Sequence, residues 1–131
     1  MPDASVDVVL SNCVINLSPD KPQVWREVFR VLKPGGRVSV SDLALLKPLP
    51  DSIQRMTAAL VGCVAGAALV EETRVALEKV GFSSIVLTPE PEYIRTMQAW
   101  NDLLYKQIAE ALPKGEELTN YIVSLAIEAR K

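Results

Sequence analysis

The sequence predicts an α/β fold with a mostly parallel sheet, in the order β-α-β-α-α-β-α-β, on three observations. Short runs rich in β-branched residues, "SVDVVLSN", "RVSVSDL" and "SSIVLTP", alternate with longer segments whose apolar residues recur at helical spacing. Breakers stand between them, "LKPGG" and Gly81 above all. A length of 131 residues with 49% hydrophobic content suits one domain with a real core, so residues 1–131 read as a single unit. In open sheets of this kind crossovers are right-handed, and ligands sit beyond the carboxyl ends of the strands.

Each element follows from local chemistry. Residues 5–12 are a short β-branched run with turn signals on both sides, which reads as a buried strand. Ser18 is placed to cap a helix whose first position is Pro19, where a missing N–H costs nothing. Val24, Val28, Val31 and Leu32, with Trp25 and Phe29, repeat at helical spacing, and Arg26, Arg30 and Lys33 suit the negative end of that helix. Pro34, Gly35 and Gly36 stop it, the glycines supplying the positive φ of a tight turn. Residues 37–43 alternate as a second strand. After a loop with Pro48 and Pro50, Asp51 or Ser52 opens a helix running to about residue 69, with Gly62 or Gly66 as points of interruption. A further helix spans 71–80, a third strand 83–89, a long helical pattern 91–112, and a final strand 121–130.

Composition narrows the function. A net charge of −2, a pI near 5.2 and scattered Lys and Arg residues argue against a nucleic-acid surface. No apolar stretch reaches the roughly 18 to 20 residues of a membrane span, and the most apolar region, 57–70, reads as a buried helix. Asp3 and Asp7 stand where a signal peptide carries positive charge, so the cytoplasm is the expected compartment and the two cysteines are expected as thiols. With no histidine, imidazole acid–base chemistry and Ser-His or Cys-His pairs are excluded within the chain. Two cysteines without histidine also make no four-ligand zinc site.

The first strand runs directly into "SNCVINLSPDK", which places Cys13 at its carboxyl end. The whole stretch "DVVLSNCVINLSPDKPQVWREVFRVLKPGGRVSVSDL" resembles the second half of a class I S-adenosylmethionine-dependent methyltransferase, specifically the arsenite methyltransferase family. "LKPGG" followed by a strand ending in Ser-Asp is common to many class I methyltransferases, whereas "SNCVINLSPDK" is far more specific. "GCVAGAAL", residues 62–69, resembles that family's other arsenic-binding segment. The resemblance is strong over 6–82 and continues without a sharp motif from Ser83 onward.

The resemblance implies a partial class I methyltransferase fold, a Rossmann-like sheet lacking the N-terminal cofactor-binding strands, and roughly the C-terminal half of such an enzyme. It implies that Cys13 and Cys63 are thiolates for trivalent arsenic, a soft centre that favours sulfur over hard oxygen donors. Asn12 supports them, by orienting the substrate or capping the strand end. S-adenosylmethionine is the implied methyl donor of the complete enzyme. Attack by the arsenic lone pair on its methyl group needs alignment and desolvation more than a strong base, so the missing histidine is no obstacle. The family's Gly-rich cofactor loop, its acidic ribose-side residue and its upstream cysteines all precede the matching segment, and no glycine here precedes Gly35. Efficient methyl transfer and tight cofactor binding are therefore not expected of this chain alone.

The residues also support a second reading, a non-enzymatic module that binds a thiophilic ligand or another protein. By themselves Cys13 and Cys63 read as small buried hydrophobes, Asp42 as a group that satisfies loop N–H donors, and Trp25, Phe29 and Trp100 as core. The expected partners are a small arsenical, with arsenic as substrate and no resident metal, and either a second copy of the chain or a complementing N-terminal half. The last follows because a first strand without an upstream neighbour exposes an apolar edge. No nucleic acid and no membrane are expected.

Overall fold

Four strands, β1 (Val6–Asn12), β2 (Leu32–Leu45), β3 (Ser83–Glu90) and β4 (Ile122–Arg130), form one sheet in the spatial order β1-β2-β4-β3. The structure, a computed structural model, describes residues 1–51, 53, 54, 66–99 and 110–131, with the backbone alone for 97–99. β1 and β2 are parallel, with Val9 opposite Val38 and Asn12 opposite Ser41. β4 runs antiparallel to both its neighbours, Ile127 facing Val40 on one side and Leu87 on the other. Among the described residues, three of the four strands thus share a direction, but only the β1–β2 pair is parallel, which corrects the expectation of a mostly parallel sheet. The last strand does not add at an edge. It inserts between β2 and β3, where Val123, Leu125, Ile127 and Ala129 are all buried.

Helices among the described residues include α1 (Lys21–Val31), α2 (Val70–Val80) and α3 (Glu92–Ala99). α1 begins later than Ser18-Pro19 suggests. A 3-10 turn, Ile15–Leu17, comes first and takes Ser18 as its end, the Ser18 N–H donating to the Ile15 carbonyl. Asp20 caps α1 instead, accepting the Gln23 N–H at 3.1 Å, while the Ser18 hydroxyl accepts the Asp20 N–H at 3.2 Å. At its other end α1 passes straight into β2. "LKPGG" is not a separate turn but a bulge, since the pairing slips between Val6–Leu32 and Val8–Arg37. Gly35 has φ 82° there, and a side chain on Gly36 would meet the Lys33 carbonyl at 2.8 Å and the Asp7 carbonyl at 3.0 Å. α2 ends at Gly81, φ 111°, as the sequence suggests. Most of the helix expected over 51–69, and the part of the 91–112 pattern that holds Trp100, lie outside the described residues.

α1 and α2 cover one face of the sheet, where Trp25, Leu32, Val38, Val40, Leu77 and Ile127 form the larger core. Phe29 meets Phe82 edge-to-face at 5.1 Å beneath it. A second cluster with Leu43, Ile53, Ile94, Leu118 and Ile122 is built around α3 and the carboxyl end of β2. Each fully buried aliphatic side chain of this kind contributes about 1.5–3 kcal/mol. The local pattern of β1 reads as a buried strand, but among the described residues only β2 pairs with it. Val8 and Leu10 are 38% and 72% exposed, the apolar edge expected of a first strand without an upstream neighbour. No helix among the described residues is long and apolar enough to cross a membrane.

Candidate functional site

The parallel pair β1–β2 brings two carboxyl ends to one rim, and the described candidate residues lie there. β1 ends at Asn12, which is exposed. Cys13 follows at φ 55°, in the left-handed region that residues with a Cβ seldom occupy. Its N–H donates to the Ser41 carbonyl at 2.9 Å, one step past the last β1–β2 register pair. The backbone then closes into the Ile15–Leu17 turn. Cys13 is half-buried, between the exposed Asn12 and Val14.

β2 supplies the floor of this rim. Asp42 lies on the face covered by α1 and α2, between Val40 and Ala44, and is 4% exposed. Its two carboxylate oxygens accept backbone N–H groups, Oδ2 from Asn16 at 3.2 Å and Oδ1 from Leu43 at 3.0 Å. The Asn16 amide in turn donates to the Leu43 carbonyl at 2.6 Å. Burial pushes the Asp42 carboxyl above the ordinary carboxylate range, and the N–H groups of Asn16, Leu43 and Ile15, with the charge of Lys21, offset that only in part. The expectation that Asp42 satisfies loop donors is met.

Beside it opens a cleft of about 300 Å³ lined by Lys21, Trp25, Gly66, Ala68, Glu72 and Thr73. Gly66–Leu69 is the described end of the "GCVAGAAL" segment, and it docks on the same strand end: Leu45 N–H donates to the Ala68 carbonyl at 2.9 Å, and Leu69 bridges Leu45 in parallel. Along β2 the anchor points for Cys13 and Ala68, Ser41 and Leu45, are four residues apart, about 13 Å at strand rise. Cys63 itself lies outside the described residues. Trp25 and Phe29 are core, as expected. Asn16 was not anticipated, although a polar residue inside the apolar run "CVINL" is the kind of signal that marks a buried hydrogen-bonding side chain. Among the described residues no cluster of His, Cys, Asp and Glu is arranged to hold a metal ion.

Comparison with known proteins gives the family. A family model described as a methyltransferase domain matches residues 1–117. Arsenite methyltransferase of Halobacterium salinarum is 40% identical over 129 residues, 98% of this chain and 30% of that protein. The Homo sapiens arsenite methyltransferase is 45% identical over 78 residues, 60% of this chain and 21% of its own length. The chain therefore spans less than a third of the length of these relatives. Among solved structures, an arsenic(III) S-adenosylmethionine methyltransferase from Chlamydomonas reinhardtii superposes with a TM-score of 0.70 at 33% identity, covering 99% of this chain and 39% of that one. A phosphoethanolamine N-methyltransferase of Haemonchus contortus in complex with S-adenosyl-L-methionine matches in fold, with a TM-score of 0.72 at 16% identity, covering 98% of this chain and 34% of that one.

Proposed function

This chain belongs to the methyltransferase-domain family, and we propose that it supplies the arsenic-binding part of an S-adenosylmethionine-dependent arsenite methyltransferase. One observation carries the reading: a cysteine held in a left-handed backbone conformation at the carboxyl rim of the parallel strand pair, within the residues that resemble that family. Cys13 and Cys63 act as the thiolates. Each thiol exchanges for a hydroxide of arsenite, the sulfur–arsenic bond forming as the thiol proton leaves with that hydroxide as water, so arsenic stays trivalent and keeps its lone pair. The docking of Gly66–Leu69 on the end of β2 supports bringing the second thiol to this rim.

S-adenosylmethionine is the methyl donor in the complete family enzymes, and the Gly-rich loop that the resemblance assigns to it precedes the segment matched here. No glycine of this chain comes before Gly35, so these residues do not supply that cradle. The work of these residues is on the acceptor side: binding arsenic, orienting it at the rim, and keeping the core beneath it dry. We propose further that the exposed β1 edge associates with a second copy of the chain, because Val8, Leu10, Val14 and Leu17 leave an apolar margin there.

Calorimetric titration of the chain with arsenite, in a phosphine reductant, tests the arsenic reading. Binding of one arsenic per chain, weakened at least tenfold by Cys13→Ser and by Cys63→Ser, is expected. Equal binding by the parent and both variants would contradict it and favour the non-enzymatic module.

A further inference from the structure

Three consecutive residues of β2 hold the loop that carries Cys13. The Ser41 carbonyl accepts the Cys13 N–H at 2.9 Å, Asp42 Oδ2 accepts the Asn16 N–H at 3.2 Å, and the Leu43 carbonyl accepts the Asn16 side-chain amide at 2.6 Å. Only Val14 and Ile15 lie between the two anchored residues, too short a span for Cys13 to relax while Asn16 stays fixed. Asn16 and Asp42 are 7% and 4% exposed, so water does not compete well for these bonds. The conformation they frame, φ 55° at Cys13, is one that a Cβ disfavours.

The geometry points to Asn16 and Asp42 as positioning residues: a buried clasp that forces the Cys13 backbone into the left-handed region and so fixes where its sulfur stands at the rim. The inference rests on the reading of Cys13 as an arsenic ligand and adds the groups that preorganise it. A ligand already ordered loses less freedom on binding, which is how residues that never touch arsenic would set its affinity. The residue types fit the task. Both oxygens of Asp42 face backbone N–H donors, so an acceptor is needed on each side, and an amide at 42 would turn an NH₂ against one of them. Asn16 donates twice, from its backbone and from its side chain, to two successive residues of the same strand.

The test uses the full chain with Asn16→Ala, Asp42→Asn, Cys13→Gly and Cys13→Ser, alone and in pairs, by arsenite titration and by urea unfolding. Asn16→Ala and Asp42→Asn are each expected to weaken arsenite binding about tenfold and to change nothing further in the Cys13→Ser background. In unfolding, Cys13→Gly is expected to be several-fold more favourable in the parent than beside Asn16→Ala. Glycine relieves strain only where the clasp imposes it, and its effect on the unfolded chain cancels in the comparison. Should Asn16→Ala fold poorly, Asp42→Asn, nearly identical in shape, carries both arms. Parent-like arsenite binding by Asn16→Ala and Asp42→Asn, with binding still lost in Cys13→Ser, overturns the clasp and leaves the ligand reading standing. Parent-like binding by Cys13→Ser overturns the ligand reading and the positioning role with it.

Discussion

β2 is paired on both sides, by β1 and β4, and buries Val38, Val40, Leu43 and Ala44 to 4% exposure or less; β1, running beside it in the same direction, is paired among the described residues only by β2 and leaves Leu10 72% exposed. Both strands end at the same rim. The cysteine is on the loop after the poorly buried strand, and the groups that hold that loop are on the well buried one. On the proposed reading, stability and arsenic binding are thus carried by different strands. A conformation that costs energy at Cys13 can persist because its anchors, Ser41, Asp42 and Leu43, belong to a strand fixed from both sides.

The sharpest way to break this contrast is to truncate one leucine at each strand. Leu32→Ala, at the start of β2 with no exposed surface, is expected to cost about 2–5 kcal/mol in urea denaturation. Leu10→Ala on β1, measured at a concentration low enough to keep the chain monomeric, is expected to change stability by no more than about 0.5 kcal/mol. Equal losses would show that β1 is as well supported as β2. The same contrast predicts association through the β1 edge. Sedimentation at tens of micromolar is expected to show a dimer or larger species that Leu10→Lys converts to monomer; a monodisperse parent monomer would contradict the proposed contact.

A smaller effect sharpens the picture at Asp42. Its carboxyl is held above the ordinary range, chiefly by burial, so the folded chain takes up this proton more readily than the unfolded chain. Stability contributed by the protonated form is therefore present below the ordinary carboxylate pKa and is lost as pH rises through the raised one. Asp42→Asn has no such step. The stability of the parent relative to Asp42→Asn should fall as pH rises through that window and stay level above it, in parallel urea titrations. A difference that grows with pH there would mean that the N–H donors outweigh desolvation.

The elements were legible in the sequence wherever a local signal decides them. Gly81 ends α2 because only the left-handed region closes that turn, and the alternation of "RVSVSDL" marks the buried heart of β2. Ser18-Pro19 misled because two caps compete within three residues; the preceding 3-10 turn claims Ser18, and Asp20 is left to cap α1. The order of strands within the sheet was not legible. That β4 inserts between β2 and β3 depends on contacts distant in sequence, whereas the exposed apolar edge of β1 was expected from the sequence and is seen at Val8 and Leu10. At the site, Cys13 could be placed at a strand end from the pattern alone. Its positive φ and the role of Asn16 could not, since both follow from how the loop is tied to another strand.

Arsenic K-edge absorption on the arsenite-treated chain tests the central claim most directly, because it counts sulfur atoms around the bound arsenic. With two cysteines in the sequence, two sulfur neighbours are predicted for the parent, falling to one in Cys13→Ser. A spectrum showing arsenic surrounded by oxygen alone, unchanged by Cys13→Ser, would contradict the account.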